Sequence, residues 1–138
     1  MLRNLNVLWA VLLLLAFGGC DLLGGGDGGS NRDYAQDMRD FVQGLSAWSK
    51  AQKAGFVVIP QNGQEILTDD LESTGPANAA YLAAIDGQGR EDLNYGYEAD
   101  DQATPAADLE YMIGFLDVAE ANGVEVLVTD YVSTTASV

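Results

Sequence analysis

Histidine is absent from this chain, cysteine occurs once, and lysine and arginine together number 6 against 21 aspartates and glutamates. Each shortage removes a class of chemistry. Without histidine there is no Ser-His-Asp or Cys-His nucleophile system and no histidine-bearing zinc site. A lone Cys20 forbids an intramolecular disulfide, so the folded part has to hold by packing. The net charge of −15 speaks against nucleic acid or an anionic membrane surface as partners. It suits a cationic ligand, or plain solubility. For acid and base work, carboxylates are what remain. No metal or cofactor is expected: the acidic loop from Tyr97 to Asp101 lacks the ligand spacing and central glycine of a calcium hand and reads as a solvated loop.

Long apolar runs are equally scarce. The one near the amino terminus, Val7 to Phe17 behind Arg3, is too short to span a bilayer and has the length of a signal-peptide core. It closes on Phe17-Gly18-Gly19-Cys20, which resembles the lipobox of bacterial lipoproteins, with Phe17 where leucine is usual. Residues 1–19 are therefore expected to be a lipoprotein signal peptide and Cys20 the lipidated residue, with a plain secretory signal as the alternative. Residues 20–33, mostly Gly, Asp, Leu and Ser, read as a flexible tether. The expected location is the cell envelope, lipid-anchored outside the cytoplasm, or secreted. Residues 34–138 form the one remaining domain.

Asp33 can cap a helix that runs to about Lys53, with Tyr34, Met38, Phe41, Val42, Leu45 and Trp48 at spacings of three and four, a stripe that reads as packed core. Gly55 stops it, and Phe56-Val57-Val58-Ile59 suits a doubly buried strand ending at Pro60. Gln61-Asn62-Gly63 then offers amides suited to sugar hydroxyls, or forms an ordinary tight turn. Gln64 to Leu71 predicts a short helix. Further on, Thr104-Pro105 predicts a capped helix start, with Leu109, Met112, Ile113, Leu116 and Ala119 on its sheet face and Gly123 at its end. Val124 to Val128 is the last predicted strand, finishing in Asp130 and Tyr131.

Between these lies AYLAAIDGQGREDLNY, Ala80 to Tyr95, which passes from small apolar residues to polar ones within one strand's length. Tyr81, Leu82 and Ile85 belong inside. Asp86, Arg90, Glu91, Asp92 and Asn94 crowd around two glycines that let backbone approach a ligand. Three strands with polar ends, alternating with helices, predict an α/β fold: a parallel sheet with outer helices whose carboxyl edge carries the site. The element order is that of consecutive units of a (β/α)8 TIM barrel. A complete one needs about 250 residues, so this would be a partial barrel.

FVVIPQNGQEIL, AAIDGQGREDLNY and VLVTDYVS, in this order, resemble the second half of the glycoside hydrolase family 114 barrels, the endo-α-1,4-polygalactosaminidase-like proteins. The resemblance covers about residues 34 to 133. It implies a glycosidase acting on α-linked amino-sugar polysaccharide, with Glu91 as one catalytic carboxylate and Gln61, Asn62, Asp86, Asp130 and Tyr131 as substrate-binding residues. The family's other catalytic aspartate belongs upstream of Tyr34, where signal and tether stand here. A glycosidase needs two carboxyl groups, so a fragment inactive or weakly active alone is expected. The alternative is a non-catalytic saccharide-binding envelope lipoprotein. Expected partners are an amino-sugar polymer, the membrane through the lipid anchor, and a second copy or a missing barrel half over the open inner face.

Overall fold

Asp33 starts the first helix as its short side chain predicts, accepting the Gln36 N–H at 2.9 Å. The computed structural model describes residues 32–133. The expected signal 1–19, Cys20 and the glycine-rich tether up to residue 31 lie outside the described residues, as does the tail 134–138. Helix α1 spans Tyr34–Gln52 and gives way to Gly55 at a φ of 77°. An extended segment, 56–61, follows, then a 3-10 turn over Gln64–Leu67, helix α2 over Ala79–Ala84, strand β1 over Gly87–Glu91, helix α3 over Ala106–Ala121 and strand β2 over Glu125–Thr129. Among the described residues, no helix is long and apolar enough to cross a membrane.

Strands β1 and β2 pair in parallel, from Gly87 opposite Glu125 to Glu91 opposite Thr129. The extended segment lies along the other edge of β1. Val58 O accepts the Asp86 N–H at 2.9 Å, Pro60 O accepts the Gly89 N–H and Gly89 O accepts the Asn62 N–H, both at 2.8 Å, the slanted rhythm of a parallel ladder. The architecture is mixed helix and strand around a two-stranded parallel sheet. Helices α2 and α3 and the 3-10 turn enclose one core, in which Leu67, Tyr81, Phe115 and Ala119 are at most 1% exposed. Met112, Leu116 and Leu93 form a smaller cluster beside it.

Several expectations are corrected. The apolar part of Ala80–Ile85 is helix α2, not strand: Asn78 caps it through the Tyr81 N–H at 2.9 Å, and alanine is the best helix former. The strand begins later, in Gly-Gln-Gly-Arg-Glu, where propensity is poor and close packing decides. A β-carbon at Gly87 would lie 3.1 Å from the Glu125 carbonyl oxygen and 3.2 Å from Ile59, and one at Gly89 would lie 2.4 Å from the Gln61 amide oxygen. The 3-10 turn stops at Leu67, short of the predicted Leu71, because Thr68 turns away to bridge Ala77. Pro105, not Thr104, takes the cap position of α3, since the Thr104 hydroxyl donates to the Asp92 carbonyl at 2.8 Å. On α3, Phe115 fills the core while Ile113 is 40% exposed.

The largest correction concerns α1. Of its predicted core stripe only Val42 is buried, within the main core; Tyr34, Met38, Phe41, Leu45 and Trp48 are exposed, and the rest of its buried side is Arg39, Ser46 and Ser49. That side is fastened by polar bonds to the carbonyls of Ile66, Thr68 and Ala84. Apolar periodicity reveals that a helix has a sticky face, not what covers it. Phe56, Val57, Ile59, Leu127 and Val128 are also exposed, so the expected double burial of these strand runs is not met within one chain.

Candidate functional site

Three successive strand ends converge at the carboxyl edge. Asn62 ends the extended segment in a left-handed conformation, φ 58°, which asparagine tolerates because its side chain bonds locally. Its amide clamps the next strand: Oδ1 accepts the Glu91 N–H at 3.0 Å and Nδ2 donates to Glu91 Oε2 at 3.2 Å. From the end of β2, the Tyr131 hydroxyl donates to Glu91 Oε1 at 2.9 Å. The carboxylate of Glu91 is therefore held at both oxygens. A carboxylate has about four acceptor sites, so about two remain for a ligand. The bond to Glu91, then its negative charge, push the Tyr131 hydroxyl above its usual range and keep it a donor.

Gln61 stands one residue before Asn62, pairs with Gly89 and lays its amide oxygen over that glycine. Asp130 is at the same end, but its carboxylate is engaged. It accepts the Asn94 N–H and the Asn94 side-chain amide, each at 2.8 Å, and the Tyr95 N–H at 3.1 Å. Burial pulls the Asp130 carboxyl up, yet the bonds from Asn94 and Tyr95 outweigh it and hold the group below the ordinary carboxylate range. Asp130 thus positions the loop after β1 beside Tyr131. Asp92 adds a different feature: among the described residues its buried Oδ1 has no hydrogen-bond partner.

Asp86 is not part of this group. It precedes β1, five residues and about 16 Å of strand from Glu91, and accepts the Val58 N–H at 2.8 Å and the Lys50 ammonium at 3.1 Å. The Val58 bond first, and Lys50 second, hold its carboxyl below the usual range. Its place is at the amino end, as a tie between α1 and the sheet. Among the described residues, no group of three or more His, Cys, Asp or Glu side chains is placed to hold a metal ion.

Asn94, which the sequence placed around the two glycines, helps to complete this end, together with a residue that the sequence did not single out, Ser133, whose N–H and hydroxyl donate to Asp101 at 2.5 and 2.7 Å. Only the density of Asx residues in Leu93-Asn94-Tyr95 and Asp100-Asp101 hinted at turns there. A cavity of about 220 Å³ opens between Asp100, Asp101, Asp130, Tyr131, Val132 and Ser133. The Ser133 backbone bond, then its hydroxyl, hold Asp101 low as well. For Asp101 and Asp130 the folded value lies below the unfolded one, so their contribution is full above the ordinary carboxylate range and is lost as pH falls through the folded values. An acid titration followed by tyrosine near-ultraviolet dichroism should show this end loosening before the helices melt, and Asp130→Asn should remove most of that early step. A single transition in both would assign these bonds no separate role.

Compared with known proteins, the chain matches no family model and no curated sequence.

Proposed function

We propose that this chain is the carboxyl half of a family 114-like glycosidase barrel, exported and lipid-anchored at Cys20, which binds an amino-sugar polymer at Glu91 and does not hydrolyse it alone. The observation that carries this reading is the convergence of Asn62, Glu91 and Tyr131 from three successive strand ends, where such barrels hold their chemistry. An oriented carboxylate with free lone pairs, beside the 42% exposed ring of Tyr131, suits a sugar that presents an ammonium and an apolar face. Each of the three sequence motifs that resemble the family contains one of these residues. Hydrolysis needs a second carboxyl group about 5 to 9.5 Å from the first. Asp130 is committed to Asn94 and Tyr95, and Asp86 to Val58 and Lys50, which favours binding without turnover.

The test is retention of the full chain on partly deacetylated galactosamine polymer, with reducing-end release measured alongside. Retention that weakens with salt is expected, and Glu91→Gln should lower affinity about 10-fold, the cost of one charge-assisted contact of about 1.4 kcal/mol. No retention, or equal retention by Glu91→Gln, would remove the reading. Release of reducing ends by the unaided chain would show a second working carboxylate, for which Asp92 is the first residue to replace.

A further inference from the structure

Helix α1 carries its apolar stripe on the outside. Tyr34, Met38, Phe41, Leu45 and Trp48 are 72%, 50%, 65%, 46% and 66% exposed. They alternate at four and three residues, the spacing that draws a straight seam along a helix and that a second helix fills by knobs-into-holes packing. From Tyr34 to Trp48 the seam is about 21 Å long. It is surplus to the helix's own anchoring, which uses the neighbouring side, about 100° round the helix, through Arg39, Val42, Ser46 and Ser49.

The chain itself limits what can cover it. Helix α3 exposes Tyr111 and Ile113, but Glu110, Asp117 and Glu120 share its outer surface, so a head-to-tail contact would lay the seam on carboxylates. Helix α2 has only 6 residues. Contact of α1 with α1 of a second copy sets apolar against apolar, and such an isologous contact closes at two. Charge fixes its direction. Asp33, Asp37 and Asp40, with only Arg32 against Asp37, lie along the amino half of α1, while Gly44, Ala47, Ala51 and Lys50, which reaches Asp86, stand in the carboxyl half, with Lys53 beyond. A parallel pair would superpose the two acidic ends. An antiparallel pair sets each acidic end beside the end of the other copy that carries Lys50 and Lys53, and opposes the helix dipoles.

We infer that two copies of this chain pair antiparallel through α1, with Phe41 of each against Leu45 of the other and Met38 against Trp48. Gly44 then meets Gly44 near the two-fold axis, where a β-carbon has nothing within 4 Å in the single chain. With a charge of −15 on each copy, pairing strengthens as salt is added, the opposite of the salt response expected for polymer binding.

The experiment is sedimentation equilibrium on the full chain carrying Cys20→Ser, so that no lipid holds copies together. A dimer is expected, and Phe41→Glu with Trp48→Glu should weaken it by at least about 10²-fold, as loss of two central aromatic anchors does, with helical dichroism unchanged because both side chains are exposed. A second measurement needs no loss of function: in the same background, Gly44→Cys should form a disulfide between copies on mild oxidation. A monomer at about 0.1 mM, roughly a hundred times a micromolar dissociation constant, would overturn the inference. So would association that survives both glutamates, which would point to the strand edges or the apolar run 7–17, or a dimer whose Gly44→Cys variant fails to cross-link.

Discussion

Arg39→Ala is expected to destabilise the fold by roughly 2–6 kcal/mol, although arginine is the residue type least expected inside a protein. Arg39 is 3% exposed, and among the described residues it forms no salt bridge. Its guanidinium is spent mainly on backbone: Nε donates to the Ile66 carbonyl at 3.0 Å and Nη2 to the Thr68 carbonyl at 2.5 Å, while Nη1 makes a longer bond to the Gln36 amide oxygen at 3.4 Å. These carbonyls close the 3-10 turn, whose own backbone bonds do not use them. Removing the guanidinium leaves two buried acceptors bare, each costing about 1–3 kcal/mol. Lysine should not rescue, because one ammonium on a flexible stem cannot span two carbonyls as the planar fork does. Urea denaturation measures the loss. Tyrosine titration supplies an independent readout: burial drives the Tyr81 hydroxyl up to about 12, and the Arg39 charge works against that rise. Without Arg39, Tyr81 should ionise at still higher pH. A loss below about 0.5 kcal/mol, the ordinary range for surface changes, together with an unmoved Tyr81, would mean that Arg39 is not held between helix and turn.

How much of this was legible depends on which force dominated at each residue. Strand β2 was visible because Val124 to Val128 is rich in β-branched residues, and α3 because Pro105 marks its start and Gly123 stops it at a φ of 76°. Strand β1 was not visible, since its identity rests on the clearance of Gly87 and Gly89 against neighbouring chain, a property of the assembled sheet. At the site, the pattern of polar residues after apolar runs correctly marked Asn62, Glu91 and Tyr131 as strand ends. Asp86 was drawn into the same group because α2 was read as strand. Once the chain turns into a helix there, Asp86 falls before β1 rather than beyond it, and its carboxylate faces Lys50 instead of Glu91.

Among the described residues, the two phenylalanines on helices make the sharpest remaining test, because apolar periodicity cannot tell them apart. Phe115 is 0% exposed, meets Tyr111 edge-on with ring centroids 5.3 Å apart, and packs among residues of α2, α3 and the 3-10 turn. Phe41 is 65% exposed on the outer side of α1. Phe115→Ala is expected to cost about 3–5 kcal/mol, transfer of the ring plus the cavity it leaves. Typical total stabilities are about 5–15 kcal/mol, and a chain that leaves Phe56, Val57, Leu127 and Val128 in solvent has little to spare, so the variant should be largely unfolded at 37 °C. Phe41→Ala has no cavity to open within one chain, and in dilute solution its unfolding midpoint should stay within about 0.5 kcal/mol of wild type. The discriminating observation is concentration. If α1 is covered by a second copy, the wild-type midpoint rises with protein concentration and the Phe41→Ala midpoint rises less, whereas the Phe115→Ala loss is the same at every concentration. Equal losses for the two substitutions, independent of concentration, would put Phe41 in the core and return the stripe of α1 to the inside of the molecule.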